Sequence, residues 1–105
     1  MIERRVYLAP EAREQARIVD AWWREHRPSA PELFVAELSS ALTTLVSAPK
    51  AGTPYPHELT GVRRLLLRST RYHVYYLVKD NDVMIVAIWS SVRGSGPALS
   101  GTVGL

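Results

Sequence analysis

Apolar and polar positions along the chain follow two different periods, and the change between them divides the molecule. From Pro10 onward, Ala12, Ala16, Val19 and Trp23 recur at helical spacing, with Ile18 and Trp22 widening the stripe. Pro10 suits a first helical turn, Glu11 and Glu14 suit its positive end, and the spacing predicts a helix that ends near His26, before Arg27 and Pro28. "SAPE", Ser29 to Glu32, has the S-x-x-E pattern of a capping box and predicts the start of a second helix. Its stripe is Phe34, Leu38, Ala41 and Leu45, and Pro49 ends it. So short a connection predicts an αα-hairpin. Ahead of it, "ERRVYLA", Glu3 to Ala9, reads as a first strand.

After the second helix, Ser47 to Gly61 carries three prolines and two glycines without any period and reads as a loop. Three strands then follow as a meander: Val62 to Arg68, Tyr72 to Val78, and Val83 to Trp89, with "KDND" as the second turn. In the middle strand Tyr72, Val74, Tyr76 and Val78 share one face, and His73, Tyr75, Leu77 and Lys79 the other. Strict alternation in the last strand sets Val83, Ile85, Ala87 and Trp89 against Met84, Val86 and Ile88. Both faces are therefore apolar, and two helices can cover only one of them. The second face needs the C-terminal tail, a second copy, or a partner chain. A partner is expected because the arginine-rich strand borders the same sheet.

Composition narrows the class. At 105 residues, 47% apolar and 22% charged, the chain is predicted to be one globular α+β domain over 1–105, with 97–105 as a flexible or partner-dependent tail. It contains no cysteine, which removes disulfides and thiolate chemistry and points to a reducing cytoplasm. "MIERRVYLAPEARE" lacks the apolar run of a signal peptide, and no stretch approaches the roughly 18 apolar residues of a membrane span, so no membrane partner is expected. The net charge of +3 is unevenly spread: Met1 to Glu58 holds seven basic and eight acidic residues, whereas Leu59 to Leu105 holds six and two. Arg63, Arg64, Arg68 and Arg71 concentrate that charge and favour an anionic partner, acidic peptide or phosphate. His26, His57 and His73 show no metal-ligand spacing, so neither metal nor cofactor is expected. Gly94 and Gly96 open no helix and make no nucleotide loop.

The joint order of these segments resembles the RelE/ParE superfamily of toxins from type II toxin-antitoxin systems, and within it the ParE-like, plasmid-stabilisation branch. "LAPEAREQARIVDAWW" is similar to the family's strand-to-helix join, and "PELFVAELSSALTTLVSAPKAG" to its second helix and Pro-x-x-Gly loop. "GVRRLLLRSTRYHVYYLV" is similar to its arginine strand and following aromatic strand, and "VAIWSSVRGSGPAL" to its closing strand and tail. The resemblance covers about residues 3–99. It implies a two-layer fold and a cognate antitoxin whose acidic, apolar C-terminal segment orders on binding.

The resemblance also implies two possible targets, and the end of the last strand bears on the choice. RelE-like members are ribosome-dependent mRNA endonucleases with a late tyrosine or histidine that assists proton transfer; ParE-like members bind DNA gyrase and need no base of their own. Where many ParE-like sequences read Trp-His before an arginine pair, this chain reads Trp89, Ser90, Ser91, Val92, Arg93, with no tyrosine, histidine or lysine afterwards. Serine is a poor base without an activating neighbour. The expected activity is therefore gyrase inhibition by binding. An mRNA endonuclease using His73 or Arg93, and an inactive relative serving as a binding module, are the alternatives. Antitoxin- or target-binding candidates are Arg63, Arg64, Arg68, Arg71, Tyr75, Trp89 and Arg93, with Arg93 first at the strand tip. Trp22, Trp23 and Trp89 read as core or inter-layer packing in preference to target contacts.

Overall fold

The computed structural model describes residues 4–92, 96, 97 and 99. In chain order the elements are β1 (Val6–Leu8), α1 (Pro10–His26), α2 (Leu33–Ser47), β2 (Thr53–Pro54), β3 (Arg63–Leu67), β4 (Tyr72–Lys79) and β5 (Asp82–Ser90). They form one sheet in the order β1-β5-β4-β3-β2 with the two helices packed against it. This is the α+β fold expected from the sequence: an N-terminal strand, an αα-hairpin, then the antiparallel β3-β4-β5 meander. Two pairings were not read from the sequence. β1 lies parallel to β5, with Val6 opposite Val83, and the loop after α2 contributes β2, antiparallel to the start of β3.

The helix limits follow from local chemistry. Proline stands at the start of α1, where its missing N–H would have had no helical partner. The predicted capping box before α2 does not form. The N-cap is Glu32, without a side-chain bond, and Ser29 sits in a turn closed by bonds from Ala30 N to Arg27 O and from Leu33 N to Ala30 O. Pro31 explains the correction: it disfavours helical geometry at Ala30, so a helix capped at Ser29 could not begin there. The same rule ends α2, since Ala48, just before Pro49, has φ −136° and ψ 74°.

The last strand departs from strict alternation for a single reason. Tyr75 pairs with Ala87 and Tyr76 with Ile85, which leaves Val86 as an extra, bulged residue. One inserted residue shifts every later side chain to the opposite face. Ile88 therefore joins Val83 and Ile85 against the helices, while Met84, Val86, Ala87 and Trp89 lie with the cluster on the reverse. The helix-side core gathers Phe34, Leu38, Leu45, Trp23, Leu67, Val74, Tyr76 and Ile85.

The reverse face is covered by the chain itself, which corrects the expectation of an uncovered layer awaiting another polypeptide. The loop between β2 and β3 folds Tyr55 and Leu59 over Val62, Tyr75 and Val86, and Leu99 is completely buried in the same cluster. Gly96 lies against Tyr55: a Cβ there would come within 2.4 Å of the Tyr55 hydroxyl. Of the segment expected as a partner-dependent tail, Pro97 and Leu99 are described and both are buried; the rest lies outside the described residues. No helix among the described residues is long and apolar enough to cross a membrane.

Polar contacts tie the turns to the layers. Arg5 pairs with Asp82 at 2.7 Å, and Arg4 donates to the carbonyl and side-chain oxygens of Asn81, so the residues leading into β1 hold the β4–β5 turn. From α2, the Glu37 carboxylate accepts bonds from Ser69 N (2.7 Å), Thr70 N (3.0 Å) and Thr70 Oγ1 (2.7 Å), which pins the β3–β4 turn. Burial pushes the Glu37 pKa up, but these donors together outweigh it and hold it below the usual value. A carboxylate with a depressed folded pKa contributes stability above its unfolded pKa and loses it as pH falls through the folded one. Glu37→Gln is expected to cost about 1–2 kcal/mol at neutral pH. In urea titrations its deficit relative to wild type should shrink as pH falls below roughly 4.3; a deficit independent of pH would refute the role of the charge.

Candidate functional site

Successive strand residues point to opposite faces, and this divides the expected arginine cluster. Arg63 faces the helix layer, where its Nη1 donates to Gly52 O at 2.7 Å. Gly52 N in turn donates to the buried Tyr76 hydroxyl at 2.8 Å. The backbone runs so close here that a Cβ on Gly52 would lie 2.6 Å from Arg64 O and 2.7 Å from Tyr76 Oη. Only glycine fits, and Arg63 is committed to holding this loop. Burial pushes the Tyr76 hydroxyl pKa up, so the group stays protonated.

Arg64 faces the reverse side. Its guanidinium sits 5.1 Å over the Tyr55 ring, and Tyr55 meets Tyr75 edge-on at 4.9 Å and stacks on His57 at 6.1 Å. His73 stands edge-on to Tyr75 at 5.9 Å. Desolvation, and then the nearby Arg64 charge, lower the His73 pKa, so the imidazole is neutral at pH 7. Tyr75 is 2% exposed and forms the floor of this face. Arg64, Arg68 and His73 line one cleft of about 270 Å³ together with Ala51, Gly52 and Thr53.

The other candidates fall elsewhere. Arg71 is exposed in the β3–β4 turn at φ 65°, and its contribution there is through the backbone: its carbonyl accepts from Ser91 N (2.8 Å) and Ser91 Oγ (2.7 Å). Ser90 Oγ accepts from Val92 N at 3.3 Å. Both strand-tip hydroxyls are thus engaged with backbone groups. Trp89, beside them, lines an apolar groove of about 510 Å³ between α1 and the end of β5, walled by Ile18, Val19, Trp22, Ile88 and Val92. Ile18 is 53% and Val92 73% exposed, a large apolar display for two residues facing one groove. Arg27 lies 4.8 Å over the Trp22 ring, and His26 stacks on it at 4.7 Å. Arg93 lies outside the described residues. No group of three or more His, Cys, Asp or Glu that could hold a metal occurs among the described residues.

Sequence reasoning missed Tyr55 and Glu37. The signal available for Tyr55 was its setting in "TPYPH", where flanking prolines stiffen the backbone and hold an aromatic ring in place. The division of roles among the arginines predicts different mutational costs. Arg63→Ala, which strands the Gly52 loop, is expected to cost about 1–2 kcal/mol. Arg64→Ala, which loses a half-exposed cation–π contact, should cost about 0.5–1 kcal/mol. Urea denaturation midpoints check the order, and an Arg64→Ala that destabilises more than Arg63→Ala would contradict the assignment.

Comparison with known proteins matches this arrangement from two directions. Against curated proteins the sequence finds no significant match. Among solved structures the fold is similar to a chain of the chromosomal ParDE toxin-antitoxin system from P. aeruginosa, at TM-score 0.70 and 18% identity over 84% of this chain and 96% of that one. It is similar to a double-arginine variant of the E. coli toxin RelE in the free state, at TM-score 0.57 and 16% identity over 89% and 88%. It is also similar to a chain of the RelBE2 toxin-antitoxin complex from Mycobacterium tuberculosis, at TM-score 0.60 and 21% identity over 87% and 95%. At these identities the structures speak for a shared RelE/ParE fold and do not separate the two branches. The sequence itself matches a family profile, the ParE toxin of the type II toxin-antitoxin system parDE, over residues 6–93. With β1 to the strand tip inside that match, the chain belongs to this family of type II toxin-antitoxin toxins.

Proposed function

We propose that this toxin acts by binding and inhibiting DNA gyrase without cutting nucleic acid, and that a cognate antitoxin with an acidic, apolar C-terminal segment neutralises it. One observation carries the reading. The strand tip, where a nuclease of this superfamily needs a group able to take up a proton, presents Ser90 and Ser91 with their hydroxyls engaged by backbone groups, beside an adhesive groove lined by Trp22, Ile18 and Val92. Such a tip suits contact better than acid–base chemistry. Family membership supports the antitoxin. The basic cleft at Arg64 and Arg68 supports its acidic character, because like charges would repel a basic segment.

A second reading rests on His73. It is a neutral imidazole beside Arg64 in a cleft that Arg68 also lines, a set that could hold a phosphate and accept a proton. Ribosome-dependent cleavage of mRNA is therefore the alternative, and the two make opposite predictions. The purified chain is expected to inhibit gyrase supercoiling, with Ile18→Asp raising the half-inhibitory concentration at least tenfold and His73→Ala leaving it unchanged. Cleaved transcripts in a translation extract, abolished by His73→Ala, would overturn gyrase binding in favour of the nuclease. Absence of both effects, with no growth defect on expression without antitoxin, would leave an inactive relative.

A further inference from the structure

The groove between α1 and the end of β5 is closed at one end. Among the described residues, Gln15 is the first of its walls on the helix and Ile88 the first on the strand, and the two are joined: Ile88 N donates to Gln15 Oε1 at 2.8 Å. From that link the walls run along α1 to Trp22 and along β5 to Val92, about 10 Å of helix and about 13 Å of strand. The same bond takes up a backbone donor that an added strand would need, and β1 has already left β5 once Ala9 N bonds Ile85 O. An extended chain finds no ladder to join at Ile88. A volume of about 510 Å³ instead lies in the range of small-molecule sites.

The chemistry of the lining narrows the ligand. No described residue of it is charged, and apolar and aromatic side chains make its walls, with Trp22 on the helix and Trp89 on the strand. Arg27 and His26 pack on the Trp22 ring and are not part of the lining. The polar groups left over are donors. Accepting from Ile88 N fixes which end of the Gln15 amide is oxygen, and leaves its two N–H bonds without a partner among the described residues. Ser90 Oγ accepts from Val92 N and keeps its own O–H to give. A carboxylate or phosphate entering here would give up its hydration without meeting a cation in the lining. A carbonyl oxygen on an apolar body would meet a donor at the closed end and cover Ile18 and Trp22, which are 53% and 38% exposed.

We propose that this groove is a binding site for an uncharged, flat, apolar small molecule about 10 Å long that carries a carbonyl oxygen, to which Gln15 Nε2 donates. The site stands on its own geometry and rests on the preceding reading only for its consequence, that an occupant covering Ile18 and Trp22 keeps gyrase away. The probes are 2-acetylnaphthalene, 2-ethylnaphthalene and 2-naphthoate, which share one ring system and differ in the group offered to Gln15. Titrated into the isotopically labelled full chain, the ketone is expected to saturate a single site. It should shift the Gln15 side-chain amide and the Trp22 and Trp89 indole resonances, and leave Gly52, at the other edge of the sheet, unmoved. The ethyl compound should bind at least threefold more weakly, and the naphthoate at least tenfold. Gln15→Glu keeps an oxygen for Ile88 N and replaces the donor with a second acceptor, so with an unchanged melting temperature it should erase the preference for the ketone over the ethyl compound. Equal affinity for all three probes, saturating shifts confined to other residues, or no binding up to the solubility limit of the ketone would overturn the site. A preference that survives Gln15→Glu would overturn the hydrogen bond that defines the ligand. Shifts at Ile18 and Trp22 that grow with protein concentration in the absence of probe would overturn it in favour of a second copy. At saturation the ketone should raise the half-inhibitory concentration of the chain against gyrase at least tenfold; binding without that rise would count against the gyrase reading alone.

Discussion

The β4–β5 pair is apolar on both faces, and the remaining elements are arranged to shield it. Val74, Tyr76, Val83, Ile85 and Ile88 face the helices, while Tyr75, Val86 and Ala87 face the other way, all at 2% exposure or less. A pair of strands with such side chains on both surfaces cannot stand as an isolated hairpin. The αα-hairpin covers the first face. The proline-stiffened loop through Tyr55 and Leu59, together with Leu99, covers the second. The small chain therefore uses an irregular segment as part of a third layer, at the cost of leaving its perimeter less well sealed than its centre.

That division explains why the arginines do not act together. Arg63 and Arg64 are neighbours in sequence, yet one braces the Gly52 loop against the helix layer and the other lies over Tyr55 on the reverse. A run of basic residues on a strand divides between its two faces, so neighbours in sequence meet different surroundings. Arg71 illustrates a third use, since its left-handed backbone presents the carbonyl to which Ser91 binds and so closes the β3–β4 hairpin onto the end of β5.

The helices and the meander were legible because their signals are local. Pro10, the 3.6-residue stripe through Ala12, Ala16, Val19 and Trp23, and the β-branched and aromatic run from Tyr72 each fix their own neighbourhood. What was not legible depends on tertiary pairing. The bulge at Val86 exists only in relation to Tyr75 and Tyr76 across the strand, and it moved Ile88, Ala87 and Trp89 to faces that alternation alone does not predict. The parallel pairing of β1 with β5 joins residues 77 positions apart at Val6 and Val83, beyond the reach of any window. The cover provided by "TPYPHEL" was hidden for the same reason: without a period, a loop does not announce what it will touch. The candidate site inherited this limit, because the arginine positions were visible but the faces they serve were not.

Among the described residues, the groove between α1 and the tip of β5 and the open edge of β3 lie at the margins of the molecule and not over its sheet centre. A flat partner docking on one face would meet Tyr55, Leu59 and Leu99 already in place. An occupant able to engage both margins has to be long and thin, and it has to pass around the domain, whose extents are 40 × 34 × 22 Å. At about 3.3 Å per residue, an extended chain needs roughly ten to twelve residues to follow the longer dimensions. On the reading proposed above, the antitoxin's restraining segment would be of that kind, with its affinity built from many contacts spread along the margins.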